Sequence, residues 1–512
     1  MKPPVDPAKV EKRIISPFIG SGFDYLVLGT GPGSTLTHRT KAGELFGHNV
    51  TEEQWKRLCV EDKNVHIIMT DLIKQGHDPM ALKAQFAHKH GMKMLARLEM
   101  GHEFPKNHYA YAAFTSMFVK NNPHLRLKRN ETTVVDDYHL CGLDYLHKEV
   151  RDYRLAILRE LAECGADGLE LDFAVYPEFV SRPDGGKAIN EFIRDTRKML
   201  DEVGAKNGKY MVLQVCLPSR LAKQHSLDWP TWIKEGWVDY LVPSINVAVH
   251  ANNERRHEFD VPIDEYVRVA KQYGSKCKIY GRMDQSLRIF NMDPMPDGIR
   301  RHSREKTNYE KAAQALMFMR SGADGIQFAM AASSQFRRRE RYLWINDPAN
   351  VIHADKNYID GPFPALQEIQ AKGKKFTVTQ SANFRIADNI AEANKQGISS
   401  KGNFVLNFRP LNEWETVEVY INGNGPLVFT GKKASELGNN ADAVRLIPND
   451  EDLQTKDWWK RGEHNAPFPT DWLWFGENII RIVYNSDKPA ESAKIQFLWP
   501  EIQIRYDHNA KE

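Results

Sequence analysis

Two carboxylates two residues apart, Glu170 and Asp172, close the short run Gly165-Ala-Asp-Gly-Leu-Glu-Leu-Asp172. In a strand that spacing puts both on one face, with Leu169 and Leu171 on the other, suited to pack under a helix. Carboxylates at the carboxyl end of a helix-flanked parallel strand are where (β/α) enzymes keep their chemistry. Other short apolar runs end in the same way: Arg97 and Glu99, Gln214, Ser244 and Asn246, Arg282 and Asp284, and Gln327. A purely structural barrel interior is filled with branched aliphatics, so this polar ring predicts a hydrophilic, polyhydroxylated ligand.

Hydrolysis of a glycosidic bond usually takes two carboxyl groups flanking it. Asp172 is the first candidate and Asp284 the second, because their strands face each other across a barrel mouth. Glu99 follows, although Arg97-x-Glu99 is also the pattern of a buried salt bridge. Glu170 reads either as catalytic or as half of a structural ion pair. His102, Gln214, Asn246, Arg282 and Gln327 are candidates for substrate binding, each with an alternative as a satisfied core residue. His66, His77, His88 and His90 have no metal-ligand spacing, so neither metal nor cofactor is implied.

The elements that must position these residues are legible as eight candidate strands separated by helical patterns: 23–29, 65–71, 92–99, 167–172, 210–216, 238–244, 278–284 and 324–328. Helix starts such as Asp78-Pro79 and stops such as Gly91, Gly204, Gly274 and Gly322 fall between them. The repeated order of helix, glycine and strand predicts a parallel sheet and an α/β fold, a (β/α)8 TIM barrel. The longest connection, 101–143, leaves the third strand at the catalytic face, and its His102 and Glu103 suit a substrate wall, with an accessory subdomain that touches no ligand as the alternative. After Trp344 the pattern changes to alternation with Gly/Asn/Asp turns. The expected division is a catalytic barrel over 1–345, a connector over 346–375 and a jelly-roll-like β-sandwich over 376–512.

The stretch Leu143-Asp-Tyr-Leu-His-Lys-Glu-Val-Arg-Asp-Tyr153, continuing through Gly168-Leu-Glu-Leu-Asp172 to Tyr176-Pro177, resembles the glycosyl-hydrolase-10-like family. The matching motifs are a helix start of the "EVR-Y" type, a "DGI"-type strand, an aspartate and a "YP". The resemblance covers about 35 residues and implies a polysaccharide-degrading barrel in which Asp172 keeps the aspartate's role. The family usually has two consecutive aspartates there, and Phe173 stands in the second place.

Composition limits the partners. Lys+Arg 70 against Asp+Glu 67 leaves a net charge of +3, which argues against bulk nucleic-acid binding. No apolar run approaches the ~20 residues of a membrane span. The run Arg337-Arg-Arg-Glu-Arg341 reads as a solvated helix face or as a clamp for an anionic sugar. Five cysteines cannot all pair internally, and Cys164, Cys216 and Cys277 read as small core residues. Met1-Lys-Pro-Pro-Val-Asp-Pro7 has no apolar signal core, which leaves the cytoplasm, or the periplasm or exterior if a signal peptide has been removed. The sequence therefore points to a glycoside hydrolase acting on a polysaccharide or oligosaccharide. A lyase with a uronate-binding cluster around Arg282 and a non-catalytic carbohydrate-binding protein are the alternatives.

Overall fold

A computed structural model describes residues 3–101, 103, 109–127, 142–175, 178–182, 185–244, 259–284, 286–290, 301–329, 344–359, 376–408, 411, 413–430, 462–487 and 499–507. They form two compact units. The first comprises 1–252, 261–285 and 321–346, and the second 253–260, 286–320 and 347–512.

The first unit is built on a parallel sheet of seven strands in chain order: β1 (Tyr25–Pro32), β2 (Lys93–Glu99), β3 (Gly168–Asp172), β4 (Val212–Pro218), β5 (Tyr240–Ser244), β6 (Lys278–Asp284) and β7 (Gly325–Ala329). Its register aligns Gly29, Arg97, Glu170 and Gln214 in one row and Glu99, Asp172 and Cys216 in the next. The sheet curls: Gln327 of β7 donates to Glu170 of β3 at 2.5 Å, and Phe328 meets Phe23, just ahead of β1, edge to face at 5.7 Å. Gly168 permits the close approach of β3 and β4, since a Cβ there would collide with the Val212 backbone.

Seven of the expected strands are present, but Val65–Asp71 is not a strand. It lies inside helix α1 (Val60–Lys74), where Met69 and Leu72, three apart, share the buried face and Val65 is exposed. Glu61 and Asp62 in its first turn and the Cys59 sulfur accepting the Asp62 N–H favour this helix start. Helix α2 (Pro79–Lys89) starts where expected, with Asp78 accepting from the N–H groups of Met80 and Ala81 at 2.8 and 3.0 Å. Helix α3 (Lys148–Glu163) precedes β3, and α4 (Gly186–Asn207) follows it. The glycine at 204 does not end α4: it is buried in the last turn, and Gly208, with φ 65°, is the stop.

The second unit holds two four-stranded antiparallel sheets. One runs β8 (Lys356–Ile359), β15 (Trp499–Tyr506), β10 (Ser400–Phe408) and β13 (Gly462–Phe468). The other runs β9 (Phe376–Ile386), β14 (Gly476–Ser486), β11 (Glu415–Ile421) and β12 (Asn424–Thr430). β11 alternates strictly between buried and half-buried residues, the period-2 signature of a one-sided sheet. Helix α5 (Asn308–Arg320) belongs to this unit and packs on β8. Residues 360–375 of the expected connector lie outside the described residues. Among the described residues no helix is long and apolar enough to cross a membrane.

Candidate active site

Alternation along each strand sets which side chains point inward. On β3 these are Glu170 and Asp172, both buried, while Leu169, Leu171 and Phe173 point outward into the apolar layer beneath the helices. Phe173 packs edge to face on Phe179 at 4.8 Å and lies near Tyr145 and Trp232. The second aspartate of the family pattern would therefore fall in a hydrophobic layer of this chain.

The inward groups form one charged network. Arg97 donates through Nη2 to Asp172 Oδ2. Its Nε is 3.4 Å from Glu170 Oε1, close enough for ion pairing but out of line for a hydrogen bond, and Nη2 is 3.7 Å from Glu99. From the other side Arg282 places Nη1 3.5 Å from Asp172 Oδ2 and 3.0 Å from the Cys216 sulfur, and its Nε is 4.0 Å from Asp284 Oδ1. The second oxygen of Asp172 accepts the Ala174 N–H at 2.8 Å. Gln214 and Gln327 both donate to Oε2 of Glu170. Burial works against both charged guanidiniums. The carboxylates around Arg97, and Cys216 with the carboxylates around Arg282, nevertheless hold both pKa values above the ordinary arginine value.

Seven of the nine sequence candidates thus converge: Asp172, Asp284, Glu99, Glu170, Gln214, Arg282 and Gln327. His102 and Asn246 lie outside the described residues, as do Arg337–Arg341 and Tyr176-Pro177. The carboxylates are not equivalent. Glu170 is enclosed by Arg97, Gln214 and Gln327, and all three partners of Asp172 are donors. Asp284 is 7% exposed, and among the described residues it lies 4.0 Å from the Arg282 guanidinium.

Cys216 reads from its apolar neighbours as a core residue, yet it lines the network and burial pushes its thiol pKa up. Only its position two residues beyond Gln214 pointed inward. Glu103, expected on a substrate wall, is buried and bound instead by Arg154 and by the Ser34 hydroxyl at 2.8 Å. His38 stays out of the network, 4.0 Å from Glu160 of α3. The motif residues around the start of α3 fasten the chain rather than enter the site. Arg151 donates to the carbonyls of Tyr145 and Leu146 at 2.7 and 3.0 Å, and the Tyr145 hydroxyl donates to the carbonyl of Met100, just past β2, at 3.1 Å. Tyr153 stacks on Phe118 at 3.8 Å.

No family model and no curated protein matches the chain. Solved structures that resemble it include chitinases, α-galactosidases and spore cortex-lytic enzymes. The spore cortex-lytic enzyme SleL of Bacillus cereus is 13% identical with a TM-score of 0.36, covering 67% of this chain and 71% of that one. Chitinase ChiW from Paenibacillus sp. is 11% identical with a TM-score of 0.40, covering 95% of this chain and 51% of that one, so this chain spans about half its length. A glycoside hydrolase family 18 N-acetylglucosaminidase from Paenibacillus barengoltzii is 10% identical with a TM-score of 0.34, covering 52% and 86%.

Proposed function

We propose that this protein is a glycoside hydrolase that cleaves a polysaccharide or oligosaccharide with Asp172 and Asp284. The observation that carries this reading is that both carboxylates approach one guanidinium, Arg282, at 3.5 and 4.0 Å from two different strands. They therefore lie close together at one end of the sheet without occupying each other's hydrogen-bonding positions. A carboxylate surrounded by donors, as Asp172 is, suits stabilisation of the positive charge that develops on the sugar ring, or attack on its anomeric carbon. Asp284, whose ion-pair contact among the described residues is the 4.0 Å one with Arg282 Nε, suits proton transfer to and from the glycosidic oxygen or water. Glu170 and Glu99 hold Arg97 in place, and Gln214 and Gln327 fix Glu170.

The finer assignments belong to the same reading: a (β/α)8-type barrel over about 1–345, a β-sandwich module over 376–512, and kinship with the glycosyl-hydrolase-10-like family. Support comes from the curled sheet, the two antiparallel sheets and the window Leu143–Asp172. A reducing-end assay of the purified protein against a panel of neutral and anionic polysaccharides tests the activity. Release by the wild type that is lost in Asp284→Asn supports it; release unchanged in Asp284→Asn removes Asp284 from the mechanism.

A further inference from the structure

The chain around the expected second strand builds a cavity instead. It lies against α1, the short helix Glu52–Arg57 and the loop before that helix, and measures about 560 Å³. Pockets for small organic ligands typically span about 300–1,000 Å³. None of the residues lining it belongs to the network of carboxylates and arginines.

Two rings form a fixed wall. Trp55 is half-buried: it lines the cavity and also packs on a small core with Phe46, Leu58 and Met69. The His66 ring meets it edge to face, with centroids 5.2 Å apart. His66 Nδ1 lies 2.8 Å from the Phe46 carbonyl, which only accepts, so Nδ1 carries the proton. Nε2 of the neutral ring is then an acceptor, with the Thr70 hydroxyl 3.5 Å away. Gly47, with φ 75°, lets the loop close on this ring, since a Cβ there would lie 2.6 Å from Nδ1. The short helix is pinned as well, because Thr51 and Gln54 cap it reciprocally at 2.9 and 3.2 Å.

Glu52, Trp55 and Lys56 are spaced i, i+3, i+4, so they share one face of that helix, and all three line the cavity. One step round the helix, Glu53 and Arg57 close an ion pair at 3.4 Å. Among the described residues Glu52 and Lys56 close no such pair. A carboxylate and an ammonium therefore flank the indole. The occupant that suits this wall has an apolar face and edge groups that both donate and accept. A sugar ring has both: its C–H face meets the electron-rich face of the indole, and its hydroxyls bond to carboxylate and ammonium. A hydrocarbon chain would leave Glu52 and Lys56 unused.

We propose that this cavity is a saccharide-binding site separate from the candidate active site, with a sugar ring stacked on Trp55 and its hydroxyls held by Glu52 and Lys56. It goes beyond the glycosidase reading, because binding here uses neither Asp172 nor Asp284.

The test is hydrogen–deuterium exchange of the full chain, as Asp284→Asn, with cellotriose, maltotriose, xylotriose, mannotriose or triacetylchitotriose. At least one of them is expected to slow exchange in residues 45–56. Trp55→Ala is expected to weaken its binding at least about tenfold. Because Trp55 also packs on a core, the exposed pair is tested separately. Glu52→Ala combined with Lys56→Ala is expected to weaken binding by a smaller factor at unchanged melting temperature. No protection of 45–56 by any of the trisaccharides overturns the proposal, as does undiminished binding in the folded double variant. Protection by glycine betaine, a zwitterion without hydroxyls, equal to that by the sugars also overturns it. Glycan hydrolysis by the wild type without protection of 45–56 removes this site and leaves the glycosidase reading standing. Protection of 45–56 without hydrolysis of any glycan keeps this site and counts against that reading.

Discussion

At the scale of single residues, the arginines divide the carboxylates by role. Glu170 is buried and accepts from Gln214 and Gln327 beside Arg97, so its loss leaves two amide donors without their acceptor and Arg97 with two carboxylates where it had three. Glu170→Ala is expected to destabilise the protein by about 3–5 kcal/mol in denaturant titration, and Glu170→Gln by less because an acceptor remains. An alanine variant as stable as the wild type would show that Glu170 is not structural. His225 gives a pH signature. Burial lowers its pKa from 6.5 to about 4, and its Nε2 has no hydrogen-bond partner. The unfolded chain therefore binds the proton more readily. This stability is complete above about pH 6.5 and is lost as pH falls toward 4. The drop in melting temperature between pH 7 and pH 5 should shrink in His225→Gln, and an unchanged drop would contradict the assignment. The polar residues at strand ends were legible because alternation alone fixes which side chains share a face. Which partner each arginine chooses was not, since Arg97 passes over Glu99, two residues away, to reach Asp172 on the next strand.

At the scale of elements, legibility followed length and punctuation. Strands bounded by glycine and helices with capping residues were readable from the sequence to within a few residues. Val65-His-Ile-Ile-Met-Thr-Asp71 was ambiguous, because a short apolar run satisfies strand and helix patterns equally, and its capping at Cys59 decided for helix. The family-like motif ahead of β3 reads as catalytic by association, but its arginine and tyrosines anchor the entry to α3. Phe173 makes the same point. Phe173→Asp would restore the family's paired aspartates in sequence but bury a charge among Tyr145, Phe179 and Trp232. The expected result is a loss of about 3 kcal/mol or more and no gain in turnover. A stable, more active variant would show that position 173 can reach the site.

At the scale of the whole molecule, the two units are not successive along the chain. Residues 286–320 belong with the second unit although the last strand of the parallel sheet, β7, follows them. Helix α5 is buried at every position from Glu310 to Phe318, and one face of it is covered by β8, beyond residue 347. Repeating helix-then-strand order could not reveal this, because α5 has the length and spacing of any barrel helix. A chain ending at Asn346 should therefore expose that face and aggregate, whereas a monomeric, cooperatively melting 1–346 fragment would contradict the interleaving.

The central claim is that Asp172 and Asp284 act together on one glycosidic bond. It is tested most directly by turnover of Asp172→Asn, Asp284→Asn and the double variant on a glycan that the wild type cleaves. Each single variant should lose at least about a thousandfold, with the double no worse than the more damaged single, since residues acting as one unit are not additive. Near-normal turnover in either single variant, or losses that multiply in the double, would contradict it.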